Sequence, residues 1–243
     1  MMKTMTRTLA LIVMAAVMTG CATTNKQDPF EGYNRTMFEF NDKVDKVALK
    51  PVAKAYQTVV PSFVQTGIGN FFGNLGDVWT AVNNFLQGKF EDGALDVVRV
   101  TANSTLGVLG LFDIASDSGV PKHKEDFGQT LGSWGVPSGP FLVLPLLGPS
   151  TVRDTVALPA DIYGNPWTYK EPLRWRNVGT GVRIIDGRAA LLDASNLLED
   201  AALDPYQFVR DAYLQRRRSQ VYDGNPPALP HDDELEENDS NNK

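Results

Sequence analysis

Between Tyr33 and Tyr56 the apolar residues Tyr33, Met37, Phe40, Val44, Val47, Val52 and Ala55 recur close to the 3.6-residue period of a helix, with Asp42, Lys43, Asp45 and Lys46 on the other face. The pattern predicts an amphipathic helix that bends or breaks near Pro51, because proline removes a backbone donor and crowds the turn before it. A second helix is expected through Phe71, Leu75, Val78, Val82 and Phe85, ending at Gly88, and a third from Ala94 to about Leu106 with Leu95, Val98, Ala102 and Leu106 in register. Ile184, Ile185, Leu191, Leu192, Leu197 and Leu198 share one helical face further on. Asp204-Pro205 then supplies an N-cap and a favourable first residue for a last helix that runs to about Tyr222. No sustained alternation with hairpin turns is present, so no β-sheet is expected. The fold class is all-α: a single domain of bent amphipathic helices with irregular connectors.

Two short stretches are apolar on all sides, Leu106 to Phe112 and Phe141 to Leu147. Each is too short to cross ~30 Å of hydrocarbon, which takes roughly 20 apolar residues in a helix, so each belongs inside protein or within one leaflet. Phe141, Leu142, Val143, Leu144, Leu146 and Leu147 are assigned to a membrane-facing or channel wall, and Pro145 to a bend in its backbone. Trp134, Trp167, Tyr169 and Trp175 fit an interfacial setting, where amphipathic rings sit at headgroup level.

The start of the chain carries a different message. Lys3 and Arg7, the apolar run Leu9 to Met18, and Thr19-Gly20-Cys21 have the charged, apolar and small-residue layout of an export signal. Cys21, the only cysteine, stands where cleavage would leave it first, as in the lipobox of bacterial lipoproteins, although Met18 replaces the usual leucine. Cys21 is thus expected to carry diacylglycerol and an N-acyl chain, an anchor much firmer than one acyl chain gives. By resemblance to sorted lipoproteins, Ala22 at the next position points to the outer membrane. The domains are residues 1–20 as signal, 21–32 as tether, 33–222 as helical body and 223–243 as an acidic disordered tail.

Charge and chemistry narrow the function classes. The net charge is −6 at pH 7, and most of that excess lies in the tail, so the body lacks the basic field of a nucleic-acid binder. No catalytic constellation is found. His123 is the only histidine of the body, and Gly148-Pro149-Ser150 runs into Val152 where a hydrolase elbow needs glycine. No metal-ligand spacing and no cofactor motif occur, and Glu125-Asp126 beside His123 reads as a solvated cluster.

Longer motifs supply a family. Asp28-Pro29-Phe30-Glu31-Gly32-Tyr33-Asn34-Arg35, Phe38-Glu39-Phe40-Asn41-Asp42, Asn83-Asn84-Phe85-Leu86-Gln87-Gly88, the block from Asp126 through Pro149-Ser150 to Arg153-Asp154, and Asp204-Pro205-Tyr206 resemble the MlaA (VacJ) lipoproteins over roughly residues 28–222. The resemblance implies an all-helical ring in the periplasm-facing leaflet of the outer membrane, associated with trimeric porins. It implies removal of mislocalised phospholipid from the outer leaflet through an amphipathic channel, with delivery to a soluble periplasmic carrier and on towards an ATP-driven inner-membrane complex. Phe38, Phe40, Asn41 and Pro145 are candidates for a helix bend or gate. Two other readings stay open, a structural porin-associated lipoprotein and a phospholipid-modifying enzyme. On the sequence alone, Cys21→Ser is expected to leave a folded but untethered protein, checked by fractionation after alkaline washing.

Overall fold

The structure is a computed structural model, and it describes residues 28–227; Cys21, the signal segment and the tail beyond Pro227 lie outside the described residues. Helices account for most of it: α1 (Glu31–Val44), α2 (Lys50–Val59), α3 (Ser62–Leu86), α4 (Phe90–Thr105), α5 (Ile114–Asp117), α6 (Phe127–Ser133), α7 (Val152–Gly164), α8 (Leu173–Ala190), α9 (Leu192–Ala201) and α10 (Pro205–Val221). The helix does not break at Pro51. Residues Asp45–Leu49 make a π-helical turn, in which the Lys50 N–H donates to Asp45 O, five residues back. That wider register directly precedes Pro51, which has no N–H to offer, so the chain runs on from α1 into α2.

One element departs from the all-helical expectation. Phe141–Leu144 (β1) and Gly148–Thr151 (β2) form an antiparallel hairpin in the register Phe141 with Thr151 and Leu144 with Gly148. Pro145 sits in the connecting turn, where Leu146 takes φ 62°, and Leu147 N–H closes the turn on Leu144 O. The bend assigned to Pro145 is therefore a hairpin reversal. A four-residue strand was too short for its alternation to register against a uniformly apolar run.

The helical periods were read correctly, but several of the faces point the other way. In α3 the buried side chains include Asn74, Asp77, Thr80, Asn83 and Asn84, whereas Val82 and Phe85 are exposed. In α4 the buried stripe is Gly93, Asp96, Arg99 and Asn103, and Val97 and Val98 face out. In α1 the buried residue is Asn34, while Phe40 is exposed, as are Val47 and Val52 beyond it. Among the described residues, more polar and charged side chains than apolar ones are buried, and large apolar side chains stand exposed on nearly every helix. Such contiguous apolar exposure is uncommon on a monomer surrounded by water.

Buried polar groups are costly unless paired, and most of those here are, Asn74 Oδ1 being an exception. Arg99, with no exposure, donates from Nη2 to both carboxylate oxygens of Asp113 (2.9 and 3.0 Å) and from Nη1 to Val120 O at 2.7 Å, and lies 3.5 Å from Asp77. Asn84 donates to Asp96 at 2.7 Å, and Thr130 donates to Asn83 at 2.7 Å, tying α6 to α3. Two small clusters of buried apolar side chains form among the described residues, Ala53, Ala189 and Leu192 between α2 and α8–α9, and Phe141, Val143 and Tyr206 between β1 and α10.

A second ionic latch closes the chain's end onto its middle. Asp126 caps α6 by accepting from Gln129 N–H at 2.9 Å and also holds Arg217 of α10 at 2.6 and 2.7 Å. Asp154 in α7 binds the same guanidinium at 2.8 and 3.0 Å and accepts from Tyr213 Oη at 2.9 Å. Gly128 makes room, because a Cβ there would meet Arg217 Nη2 at 2.4 Å and Asp154 Oδ1 at 2.5 Å. Burial works to raise the Asp154 pKa, but the bonds and charge of Arg217 outweigh it and hold the carboxyl below its ordinary value.

Arg217→Met should therefore destabilise the fold by about 3–5 kcal/mol, the cost of leaving the buried Asp154 carboxylate without its partner, measured by urea unfolding in mild detergent. Because the folded Asp154 carboxyl is depressed, its stabilisation is present above the ordinary carboxylate value and is lost as pH falls through the folded one. Arg217→Met should remove that part of the acid sensitivity.

Candidate functional site

A groove of about 740 Å³ lies between α1, the hairpin and α8–α10, within the ~300–1,000 Å³ of small-molecule sites. One wall is apolar: Phe38, Leu191 and Val209 face the groove, with the buried Phe141, Val143 and Tyr206 behind them. Phe38 meets Tyr206 edge-on, with centroids 5.8 Å apart. The opposite rim carries Asp42, Asp45, Lys46, Arg188 and Glu199. These charges pair with one another, Arg188 with Asp45 at 2.7 Å twice and Lys46 with Asp42 at 2.9 Å. The one hydroxyl of the rim, Ser195, donates to Leu192 O at 2.9 Å and accepts from Arg188, with no imidazole lining the groove. Such a groove can shelter an apolar chain on one side while a polar end stays solvated on the other.

Two asparagines fix the hairpin wall. Asn34 Nδ2 donates to Phe141 O at 3.1 Å, and its Oδ1 accepts from Val143 N–H at 2.8 Å. Asn41 repeats the arrangement one step along: Nδ2 donates to Leu144 O at 2.9 Å, and Oδ1 accepts from Leu146 N–H at 2.7 Å. Each carboxamide stands in for the peptide group of a neighbouring strand. The spacing is commensurate, because seven residues of helix rise about 10.5 Å and three residues of strand advance about 10 Å. Asn34 is also held by Asp28 at 2.8 Å, and Asp28 accepts in turn from Tyr206 Oη.

A second cavity, about 730 Å³, opens between α3 and α8 beside residues 122–126. Gly69, Gly73 and Gly76 form one side, and Asp77, Lys122, Asp161, Arg183 and Asp186 add both signs of charge. The acidic cluster at His123 is not one site. His123 Nδ1 lies 3.0 Å from Asp96, Glu125 accepts from Gln87 at 2.8 Å, and Asp126 belongs to the Arg217 latch. Burial raises the pKa of Asp77, Glu125 and Asp161. Among the described residues no group of His, Cys, Asp and Glu could hold a metal ion.

The family model for the MlaA lipoprotein matches residues 26–220. The chain belongs to the MlaA lipoprotein family. It is 36% identical over 251 residues to the intermembrane phospholipid transport system lipoprotein MlaA of Escherichia coli strain K12, covering 96% of this chain and 98% of that protein. To the protein of the same name from Haemophilus influenzae it is 34% identical, covering 95% and 98%. A solved chain from work on the structural basis for maintenance of bacterial outer membrane lipid asymmetry superposes with a TM-score of 0.70 at 38% identity, covering 80% of this chain and 98% of that one.

In this MlaA-family chain the residues singled out from the sequence separate into distinct places. Phe38, Asn41, Phe141 and Val143 converge on the groove. Leu142 and Leu144 are half-buried on the other face of β1, and Pro145, Leu146 and Leu147 are exposed at the hairpin tip. Phe40 is exposed on α1 away from the groove lining. Of the four interfacial candidates Trp134, Tyr169 and Trp175 are exposed, while Trp167 packs edge-on against Phe71 and Phe72. Sequence reasoning missed Asn34, Arg188 and Tyr206. For Asn34 a signal existed, a second asparagine seven residues before Asn41 on one helical face.

Asn41→Ala should free the hairpin tip while leaving Asn34 to hold its base. Amide exchange at Leu146 should rise at least tenfold, with little change at Val143, and a thermal midpoint within a few degrees of the parent would show that the helices are undisturbed.

Proposed function

We propose that this chain is an outer-membrane lipoprotein, acylated on Cys21 and seated in the periplasm-facing leaflet, that removes mislocalised phospholipid from the outer leaflet and passes it to a soluble periplasmic carrier. The observation that carries the reading is the inverted polarity of the body: a paired polar interior, large apolar side chains outside, and an amphipathic groove between them. A surface of that kind suits hydrocarbon. Among the described residues no helix is long and apolar enough to cross a membrane, which accords with a body that occupies one leaflet. The names of the relatives point the same way, towards phospholipid transport between membranes and outer-membrane lipid asymmetry.

The groove supplies a mechanism without covalent chemistry. Drawing both acyl chains of a phospholipid into water costs on the order of 20 kcal/mol at ~0.8 kcal/mol per CH₂, so a continuous apolar wall beside a hydrated rim is enough to make the path passable. Phe38, Leu191 and Val209 would line the acyl side, backed by the buried Phe141 and Val143, with Asp45, Lys46 and Arg188 keeping the headgroup side wet. The hairpin, held by Asn34 and Asn41, would act as the movable wall or gate. A trimeric porin would hold the ring at its site, and no cofactor beyond the acyl chains on Cys21 is invoked.

Val209→Trp, which fills the groove from α10, should leave abundance and localisation unchanged. It should reduce the phospholipid that co-purifies in mild detergent and raise surface-exposed phospholipid when it replaces the parent protein in cells. Normal lipid recovery and normal asymmetry with a filled groove would contradict the assignment. The apolar exterior also revises the expectation for Cys21→Ser: the unacylated body should keep part of its membrane association through an alkaline wash.

A further inference from the structure

We infer that the cavity between α3 and α8 receives a phospholipid headgroup carrying a primary ammonium beside its phosphate, so that the protein takes phosphatidylethanolamine in preference to phosphatidylglycerol. This choice of headgroup rests on the phospholipid reading above and names the substrate within it. Helix α8 serves both cavities, with Arg188 lining the first and Arg183 and Asp186 the second.

Asp77 is the decisive group. It lines the cavity and is only 3% exposed. Its Oδ2 lies 3.5 Å from Arg99 Nε and 3.9 Å from Lys122 Nζ, and accepts a hydrogen bond from neither. Both contacts fall on that one oxygen, which leaves Oδ1 to the cavity. A buried carboxylate short of donors is costly, and burial pushes the Asp77 pKa up. A ligand that brings both N–H donors and positive charge relieves the two costs together. Asp161 and Asp186 line the same space and repeat the pattern. Trp79 Nε1 and Phe127 N–H donate to Asp161 Oδ1 at 2.8 and 2.7 Å, and Tyr56 Oη donates to Asp186 Oδ1 at 2.8 Å, so each keeps its second oxygen for a further donor. A primary ammonium supplies three donors and no acceptor, whereas a quaternary amine supplies no donor.

Room for the headgroup comes from α3, where Gly69, Gly73 and Gly76 share one face. A Cβ on Gly69 would lie 3.6 Å from Asp186 Oδ2 and one on Gly73 2.9 Å from Lys122 Nζ, but one on Gly76 would meet nothing within 4 Å. The open floor is therefore at Gly76, next to Asp77. Cations stand between the carboxylates along this face: Asp186 is opposite Gly69, Arg183 reaches over the Phe72 ring at 5.7 Å, Lys122 lies over Gly73, and Asp77 follows. A headgroup with its ammonium at Asp77 presents its phosphate to Lys122 and Arg183. Charge balance selects the zwitterion. Glu125 and Asp126 also line the cavity but are engaged by Gln87 and Lys89 and by Arg217. The carboxylates that remain, Asp77, Asp161 and Asp186, are matched by Lys122, Lys124 and Arg183. An anionic headgroup would bring an uncompensated charge beside Asp77.

The test titrates the full lipoprotein, stripped of lipid in mild detergent, with dihexanoyl phosphatidylethanolamine and dihexanoyl phosphatidylglycerol and counts bound lipid by native mass spectrometry. The parent should bind the ethanolamine lipid about tenfold more tightly, the scale of one charge-assisted hydrogen bond. Asp77→Asn, which keeps the shape and removes the charge, should abolish that preference. Because Asp77 stands beside the buried Arg99, Gly76→Leu serves as a second variant whose side chain enters open space. It should weaken ethanolamine-lipid binding to a similar extent with no fall in the thermal midpoint. Equal affinity of the parent for the two lipids, or a preference that survives either substitution in folded protein, would overturn the headgroup site and leave the phospholipid reading standing. Binding of sn-glycero-3-phosphoethanolamine as tight as that of the lipid would also overturn it, in favour of a free solute. Binding of neither lipid would overturn both readings.

Discussion

The fully buried guanidinium of Arg99 sets the terms for the rest of the fold. A buried charge is tolerated only when it is paired and hydrogen-bonded, and Asp113, Asp77 and the Val120 carbonyl together supply that from three directions. To bring them together, α3 and α4 must meet along their polar stripes, and this in turn commits Val82, Phe85, Val97 and Val98 to the outside. The polarity of the exterior is thus a consequence of how the interior is wired. Hydrogen bonds and ion pairs are directional, so this interior keeps one geometry whether water or acyl chains surround it.

The same principle recurs where the groove is built. A hairpin packed only by apolar contact could slide, whereas one read by two carboxamides at matched spacing has a fixed register. Asn34 also reaches, through Asp28, to Tyr206 on the groove wall. The wall facing the groove is therefore firm at its base, near Asn34, and is tied to α1 at its tip by Asn41. Such an arrangement suits a passage whose mouth can move without loss of its scaffold. The two fixed points are turns of α1, and the π-helical turn that follows them leads into α2.

How much of this was legible beforehand follows from the physical range of each signal. Local signals read well: Asp204 caps α10 as its side chain and the following proline suggested, and the periods of α3 and α4 were visible in the spacing. The direction of an amphipathic face is not local. Polar residues at helical spacing look solvated until their partners are known, and Arg99 and Asp113, or Asp126 and Arg217, find each other only through the fold. The hairpin was hidden because Leu142 and Leu144, half-buried on the second face of β1, are as apolar as Phe141 and Val143. Of the groove, Phe38, Asn41, Phe141 and Val143 came from motif resemblance and apolar runs, while the rim charges Asp45 and Arg188, 143 residues apart, needed the tertiary structure.

The central claim is that the apolar exterior faces phospholipid in the cell, and photocrosslinking measures that most directly. A photoreactive amino acid at Phe63, Val98 or Val156, each exposed and each on a different helix, should yield phospholipid adducts identifiable by mass at all three positions after irradiation of intact cells. Adducts to protein or water at every one of these positions, with no phospholipid, would contradict the account.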